Sequence, residues 1–218
     1  MSKIVLKVDV NKSPDNQPTL LHNRWHPDIP TVVQVDPGTS LRVECIDWTG
    51  GQIKNNDSAD DVKNVELSKV HYMTGPIGVN GAQPGDLLVV DILDIGALEE
   101  SPWGFTGIFA KTNGGGFLTE HYPDAAKAIW DFSRIYATSR HLPGIKFAGI
   151  IHPRLMGTAP SYELLETWNK REAQLFNTDP KRVPPLANLP EPKNALLGKL
   201  DKSLFDKVSK EAARTVPP

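Results

Sequence analysis

Apolar and polar residues alternate through most of the first hundred positions, the period of half-buried strands. Ile4, Leu6 and Val8 share one face of MSKIVLKVDV. TVVQVDPGTSLRVECID then reads as strand, Asp-Pro-Gly turn, strand. The stretch HYMTGPIGVNGAQPGDLLVVDILDI, residues 71–95, repeats that grammar with Pro84-Gly85 as the turn. Its second run predicts a strand with Leu88, Val90 and Ile92 on one side and Leu87, Val89 and Asp91 on the other. GFTGIFAK and IKFAGIIHP predict further strands. The 19 prolines fall mostly between these runs, which suits a sandwich or barrel with long ordered loops.

The period changes in the second half. YPDAAKAIWDFSRIYATSR puts Ala125, Ile129, Phe132 and Tyr136 on one stripe, with Asp124 near its start, and predicts a helix. SYELLETWNKREAQLF predicts a second, with Leu164, Leu165, Trp168 and Leu175 on its stripe and Ser161 as cap. DKSLFDKVSKEAAR predicts a shorter third, after the Pro-rich stretch RVPPLANLPEPKNALLGKL. That stretch carries enough Leu and Val to be a packed arm. Residues 1–120 thus read as a β-rich domain, with helices, one or two strands and the arm of 121–218 packed on the same domain.

Composition narrows the function classes. A hydrophobic content of 39% over 218 residues is enough for a real core. The net charge of −2 leaves no global basic field to hold nucleic acid or anionic lipid. The single cysteine, Cys45, excludes an intrachain disulfide and a multi-thiolate zinc site. On the face of LRVECID that carries Leu41 and Val43, it is expected to be an inert core thiol. The N-terminus lacks a secretory apolar region, and no apolar run approaches the ~20 residues of a membrane helix, so a soluble, cytoplasmic protein is expected.

No nucleophile elbow, zinc-protease helix, phosphate loop or dinucleotide fingerprint is present. What remains are polar clusters in Gly-rich loops. In DWTGGQIKNNDSADDVKNVEL, Asp47 precedes Gly50-Gly51, and Asp57, Asp60 and Asp61 follow. Such a loop can turn carboxylates and amides onto a small polar ligand or hard cation, or it can be a solvated acidic surface. His71 precedes TGPIGVNGAQPGD, where it can orient water, bind metal or simply hold structure. In FAKTNGGGFLTEHYPD, Lys111 and Glu120 make a fair general-base arrangement beside Asn113, His121 and three glycines, unless the loop is only a flexible tip. His152 and Gly157 in GIIHPRLMGTAPS lie where loop N–H groups before a helix can meet a carbonyl oxygen. His22 and His26 have i,i+4 spacing, but Pro27 and Pro30 argue against a helix and hence a two-His metal face.

Taken in order, LHNRWHPDIP, DWTGGQIKNND, HYMTGPIGVNGAQPGDLLVVDI, GIFAKTNGGGFLTEHYPDAAKAIWDF, YATSRHLPGIKFAGIIHPRLMGTAPS and RVPPLANLP resemble the formamidase/acetamidase family, and its formamidase branch above all. The resemblance covers nearly the whole chain. It implies a mainly β fold, a jelly-roll-like β-sandwich with helical additions in the second half and α+β overall. It also implies an oligomeric enzyme that hydrolyses short aliphatic amides, formamide plus water giving formate and ammonia. Some relatives hold a divalent metal, zinc or calcium. Carried onto matching positions, it implies His71, Asp57, Asp47 and Glu120 as catalytic candidates. Gly51, Gln52, Gly75, Pro76, Asn113, His152 and Gly157 become substrate-binding candidates. Formamidases continue well beyond EAARTVPP into a His-Gly-Gly-Asn-Asp type stretch and a second β-rich half. The resemblance is therefore to the N-terminal portion, with a complementary C-terminal half and a second copy as expected partners. The alternative is a non-catalytic β-rich assembly or binding domain that keeps the fold.

Overall fold

The computed structural model of the chain describes residues 4–149, 155–178 and 191–213. Among them, ten short strands and three α-helices make an α+β fold. The chain groups into two compact units that interleave along the sequence. The first is Met1–Gly51, Glu66–Leu88 and Thr158–Pro218; the second is Gln52–Val65 and Val89–Gly157. No helix among the described residues is long and apolar enough to cross a membrane.

The first unit holds three two-stranded ladders. Strand β1 (Ile4–Leu6) runs parallel to β4 (Leu41–Val43), β2 (Leu21–His22) antiparallel to β5 (Met73–Thr74), and β3 (Val33–Val35) parallel to β6 (Ile77–Val79). The expected Asp-Pro-Gly turn is present: Thr39 donates its N–H to the Asp36 carbonyl, with Gly38 at φ 81°. Pro at the second position and a left-handed Gly at the third are the pattern of a type II turn. Its twist splays the flanking strands instead of pairing them. Strands β3 and β4 therefore leave the turn and each finds a parallel partner elsewhere.

Beyond β4 the alternation also corrects the expected core thiol. Glu44 points inward, accepting the Val8 N–H at 3.2 Å on one oxygen and pairing with Arg42 at 2.9 Å on the other. With a buried carboxylate occupying the inner face, Val43 and Cys45 are turned outward, and Cys45 is exposed.

Two of the predicted helices form in this unit. Helix α2 (Tyr162–Thr178) begins at Ser161, whose hydroxyl accepts the Leu164 N–H at 3.1 Å. Leu165 is its buried anchor, whereas Leu164 and Leu175 are exposed, so the packed stripe is offset from the predicted one. Helix α3 (Lys202–Glu211) is capped by Asp201, which accepts the Leu204 N–H at 3.0 Å. Its inner stripe of Leu204, Phe205, Val208 and Ala212 packs on Ile29 and Leu197 as the hydrophobic core of the unit. Backbone bonds between Trp25 and Ala213, made in both directions, seal the end of the helix onto the chain near residue 25.

The second unit is built on an antiparallel sheet in the order β10-β9-β8-β7. Its strands are β7 (Trp103–Ile108), β8 (Ala126–Ser133), β9 (Tyr136–Thr138) and β10 (Lys146–Ala148). This overturns the helix expected over residues 122–140. Ile129, Trp130, Phe132 and Tyr136 are β-branched or aromatic residues that suit a pleated sheet as well as they fit a helical stripe. Six register pairs with β7 decide the outcome. Strand β7 makes room for them: a Cβ on Gly104 would lie 3.0 Å from the Phe132 ring, and one on Gly107 would lie 3.3 Å from Val62. Val62 belongs to α1 (Asp60–Lys63), a single turn that covers the sheet.

The run Asp86–Ile95 forms no strand. The Pro84-Gly85 turn closes as expected, with Asp86 donating to the Gln83 carbonyl and Gly85 at φ 100°. It too has the type II pattern, and the segment that follows is not returned onto its predecessor.

A fully buried leucine and an exposed one give contrasting expectations. Leu197→Ala should lose about 2–5 kcal/mol in urea denaturation, the cost of a core cavity. Leu164→Ala, at 41% exposure, should stay within about 0.5 kcal/mol of the parent chain.

Candidate functional site

Within the first unit, Asp47 organises its own loop. One carboxylate oxygen accepts the Thr49 N–H at 2.8 Å and hydroxyl at 2.5 Å; the other accepts the Gly51 N–H at 2.7 Å. Gly50 and Gly51 both sit at positive φ, and a side chain on Gly50 would run into the Tyr72 ring. Burial, aided by the Asp15 charge and opposed by Arg24, pushes the Tyr72 phenol up to about 12, so it remains a proton donor at neutral pH. Asp47 thus fixes the loop by accepting from the Thr49 and Gly51 amides and the Thr49 hydroxyl.

His71 is the geometric outlier of this unit. Its φ of 65° lies in the left-handed region, a conformation that costs a non-glycine residue about 1–3 kcal/mol and persists only where the surroundings impose it. The surroundings are Trp48: its carbonyl accepts the His71 N–H at 2.6 Å, and the two rings lie 5.3 Å apart. The structure therefore brings His71 and the Asp47–Gly51 loop together through one tryptophan. Gly75 and Pro76, joined by a cis peptide bond, bind the ladders through backbone groups. Gly75 donates to the Leu20 carbonyl, and the Pro76 carbonyl accepts from Val32.

The two early histidines go separate ways. The His22 Nδ1–H donates to the Arg24 carbonyl at 2.9 Å, and burial, partly opposed by that bond, pushes the ring pKa down. His26 accepts the Asp28 N–H on Nδ1, which puts its proton on Nε2, 3.3 Å from a Glu211 oxygen. Cys45 has its thiol pushed up by local desolvation, against a hydrogen bond with Thr74, and is a thiol at neutral pH.

In the second unit the acidic loop is fastened to the sheet. Asp57 accepts the Arg140 Nε–H at 2.8 Å on Oδ1, with His141 Nε2 at 3.5 Å from the same oxygen. The His141 Nδ1 accepts the Ile129 N–H at 3.1 Å, which places the proton of the neutral ring on Nε2, facing Asp57. Arg140 also reaches Asn55 at 2.7 Å. Beside them, the buried Lys127 ammonium donates to Asp61 at 2.7 Å, Asn56 at 2.8 Å and the Lys54 carbonyl at 3.1 Å. Burial alone would raise the Asp61 pKa; the Lys127 bond and charge and the Lys54 and Val62 amides outweigh it and hold the carboxyl low.

Asn113 pins the triple-glycine loop, donating to the Lys63 and Val65 carbonyls at 3.0 Å each. Glu120 pairs with Lys111 at 2.8 Å, both exposed. Gln52 is half-buried, Gly157 lies in exposed coil, and His152 lies outside the described residues. A depression of about 500 Å³ in this unit, lined by residues such as Ile95, Leu98, Phe132 and Ile135, holds none of the candidates. Among the described residues no group of three or more His, Cys, Asp or Glu is placed to hold a metal ion, so these side chains do not of themselves fit one. Lys127, Arg140 and His141 escaped the sequence reading because the stretch around Lys127 and Arg140 scans as helix, which scatters side chains that the sheet gathers against the 54–61 loop.

Short paired strands and long ordered loops with carboxylates fastened in them define an α+β protein. The chain belongs to the Acetamidase/Formamidase family, whose profile matches residues 7–218. It is 59% identical over 216 residues to a formamidase of Methylophilus methylotrophus, covering 99% of this chain and 53% of that one. To an acetamidase of Mycolicibacterium smegmatis it is 54% identical over 225 residues, covering 100% of this chain and 55% of the relative. Among solved structures, a gamma lactamase from Delftia acidovorans superposes with a TM-score of 0.94 at 56% identity, over 100% of this chain and 53% of that chain. The chain spans about half the length of the relatives it matches.

The Lys127–Asp61 pair sets an acid dependence. Asp61 has its folded pKa below the ordinary 3.8, so its contribution is complete above that value and is lost as pH falls through the folded pKa. Asp61→Ala, which leaves Lys127 with neutral acceptors only, should cost about 3 kcal/mol at neutral pH. It should also flatten the acid limb of stability measured by urea midpoints from pH 7 downward.

Proposed function

We propose that this chain forms the N-terminal part of an amide hydrolase of the formamidase type, which converts formamide and water to formate and ammonia. The observation that carries the reading is 59% identity to a formamidase along 99% of the chain. The names of the relatives, formamidase, acetamidase and gamma lactamase, share one functional group, the amide C–N bond. Water adds to the carbonyl carbon, the C–N bond breaks, and the nitrogen leaves as ammonia. A base must take a proton from water, and donors must hold the oxyanion of the tetrahedral intermediate.

The candidates differ in what they can offer. Asp57 has its charge balanced by Arg140 on Oδ1, and its Oδ2 carries no hydrogen bond or ion pair among the described residues, leaving an acceptor for water. His71, held in a strained conformation beside the Asp47–Gly51 loop, offers a ring that can orient or relay a proton. Asp47 sets the Gly51 loop, and Asn113 sets the triple-glycine loop; both are positioning residues in this reading. Glu120, with its exposed lysine partner, is a second candidate base. Gln52, Gly75, Pro76, His152 and Gly157 remain pocket-wall candidates by family position. We further read the complete fold as a jelly-roll-like sandwich, and the enzyme as a cytoplasmic homo-oligomer. The second reading is a binding or assembly domain that keeps the fold without turnover of its own.

Joining this chain to the stretch of the Methylophilus methylotrophus formamidase outside the matched region gives a full-length enzyme for test. Formamide should yield ammonia at a steady rate when assayed both in the absence and in the presence of added zinc or calcium, at least one condition giving turnover. Asp57→Asn and His71→Ala should each lower kcat by about 100-fold or more with the circular-dichroism spectrum unchanged. An unchanged kcat removes that residue from the mechanism; a folded, inactive full-length enzyme favours the binding-domain reading.

A further inference from the structure

The pairing of β9 with β8 stops at Thr138 opposite Asp131. Continued in register, β9 would bring Arg140 opposite Ile129. Because the strand ends first, the N–H of the fully buried Ile129 has no strand neighbour to accept it, a costly state for a buried amide. The His141 ring stands in for the missing strand and accepts that N–H on Nδ1 at 3.1 Å. The His141 backbone is held as well, its N–H donating to the buried Ser139 hydroxyl at 3.2 Å. One ring nitrogen is thus committed to the sheet, and in the neutral ring the other carries the proton.

That second nitrogen, Nε2, is buried, makes no formed hydrogen bond among the described residues, and stands 3.5 Å from Asp57 Oδ1. Buried donors need acceptors, and Oδ1 is the acceptor this one faces. Arg140 converges on the same oxygen through Nε at 2.8 Å. A guanidinium can grip both oxygens of a carboxylate, but this one directs Nη2 to Asn55 Oδ1 at 2.7 Å. Both cationic or polar donors therefore meet Oδ1, and Oδ2 is left open.

We infer that His141 is a positioning residue for amide hydrolysis, its Nε2–H closing on Asp57 Oδ1 in the substrate complex and holding Oδ2 toward the attacking water. The inference rests on the reading of Asp57 as the base. Catalytic hydrogen bonds that are long in the free enzyme commonly tighten once substrate is bound. With Nδ1 bonded and Nε2 protonated, the ring has no free lone pair and is not itself the base. Water gives one proton to Oδ2 as its oxygen bonds to the carbonyl carbon. The proton then passes to the nitrogen as the C–N bond breaks, and His141 keeps its own throughout.

Two substitutions in the joined full-length enzyme separate the two ends of the ring. His141→Asn keeps an acceptor near the Nδ1 position and deletes the Nε2–H; His141→Gln keeps an N–H near the Nε2 position and loses the Nδ1 acceptor. His141→Asn should lower kcat about 10-fold or more while KM and Tm stay near the parent values. His141→Gln should lower Tm yet retain a higher kcat than His141→Asn. Adding His141→Asn to Asp57→Asn should slow the enzyme no further, because the effect runs through Asp57. Parent kcat in His141→Asn would overturn the inference, as would kcat and Tm falling together in both variants, or losses that multiply in the double variant. A kcat unchanged by Asp57→Asn would remove Asp57 as base and this inference with it. A loss in Asp57→Asn without one in His141→Asn would leave the base in place and overturn the role of His141 alone.

Discussion

A fully buried arginine holds the first unit together. Burying a guanidinium is expensive unless hydrogen bonds replace its water. Arg24 finds acceptors in the carbonyls of Asn23 at 2.9 Å, Ser68 at 3.3 Å and Glu191 at 3.5 Å. Its neighbour Asn23, equally buried, donates to the Asn194 carbonyl and accepts the Leu196 N–H, while its own N–H reaches the Leu196 carbonyl. Three segments distant in sequence are thereby tied at one point. The segment from Ser68 leads directly to His71, Tyr72 and the Gly75–Pro76 bond, so the candidate loops inherit their positions from a charge that must remain satisfied. Apolar packing of α3 on Ile29 and Leu197 closes the same joint from the other side.

The second unit repeats the device with a lysine. Lys127 projects from β8 and gathers Lys54, Asn56 and Asp61, which sets the acidic loop against the sheet. Arg140 then pairs with Asp57 on the same loop, with His141 Nε2 3.5 Å from the same oxygen. In both units cations fix loops that are otherwise polar, Gly-rich and short of apolar contacts. Loop chemistry of this kind depends on positioning by a scaffold, and here the scaffold acts through the buried Arg24 and Lys127 and the exposed Arg140.

How much of this was legible in the sequence follows from which signals were local. Helix α2 was readable because periodicity coincided with a cap at Ser161, and α3 from its periodicity alone. The turns at Pro37-Gly38 and Pro84-Gly85 were readable too, but their type II geometry, which decides that the strands part, was overlooked. The stripe of Ala125, Ile129, Phe132 and Tyr136 misled because a helix and a two-stranded hairpin can share those positions; the small residues of β7 that admit Phe132 and Val62 are a nonlocal fact. Glu44 displaced the apparent face of Leu41, Val43 and Cys45 because its carboxylate finds two partners on the inner side, the Val8 amide and Arg42. The family was legible from ordered strings such as TGPIGVNGAQPGD and NGGGFLTEH, whereas spacing alone led no further than Gly-lined polar loops.

Amide hydrolysis is the central claim, and its most direct measurement follows the oxygen. A full-length enzyme containing this chain would be given formamide in water enriched with heavy oxygen, and the formate analysed by mass spectrometry as ammonia is counted. Hydrolysis should place one solvent-derived oxygen in each formate, matched by one ammonia released. Formate and ammonia formed no faster than in the enzyme-free control would contradict it.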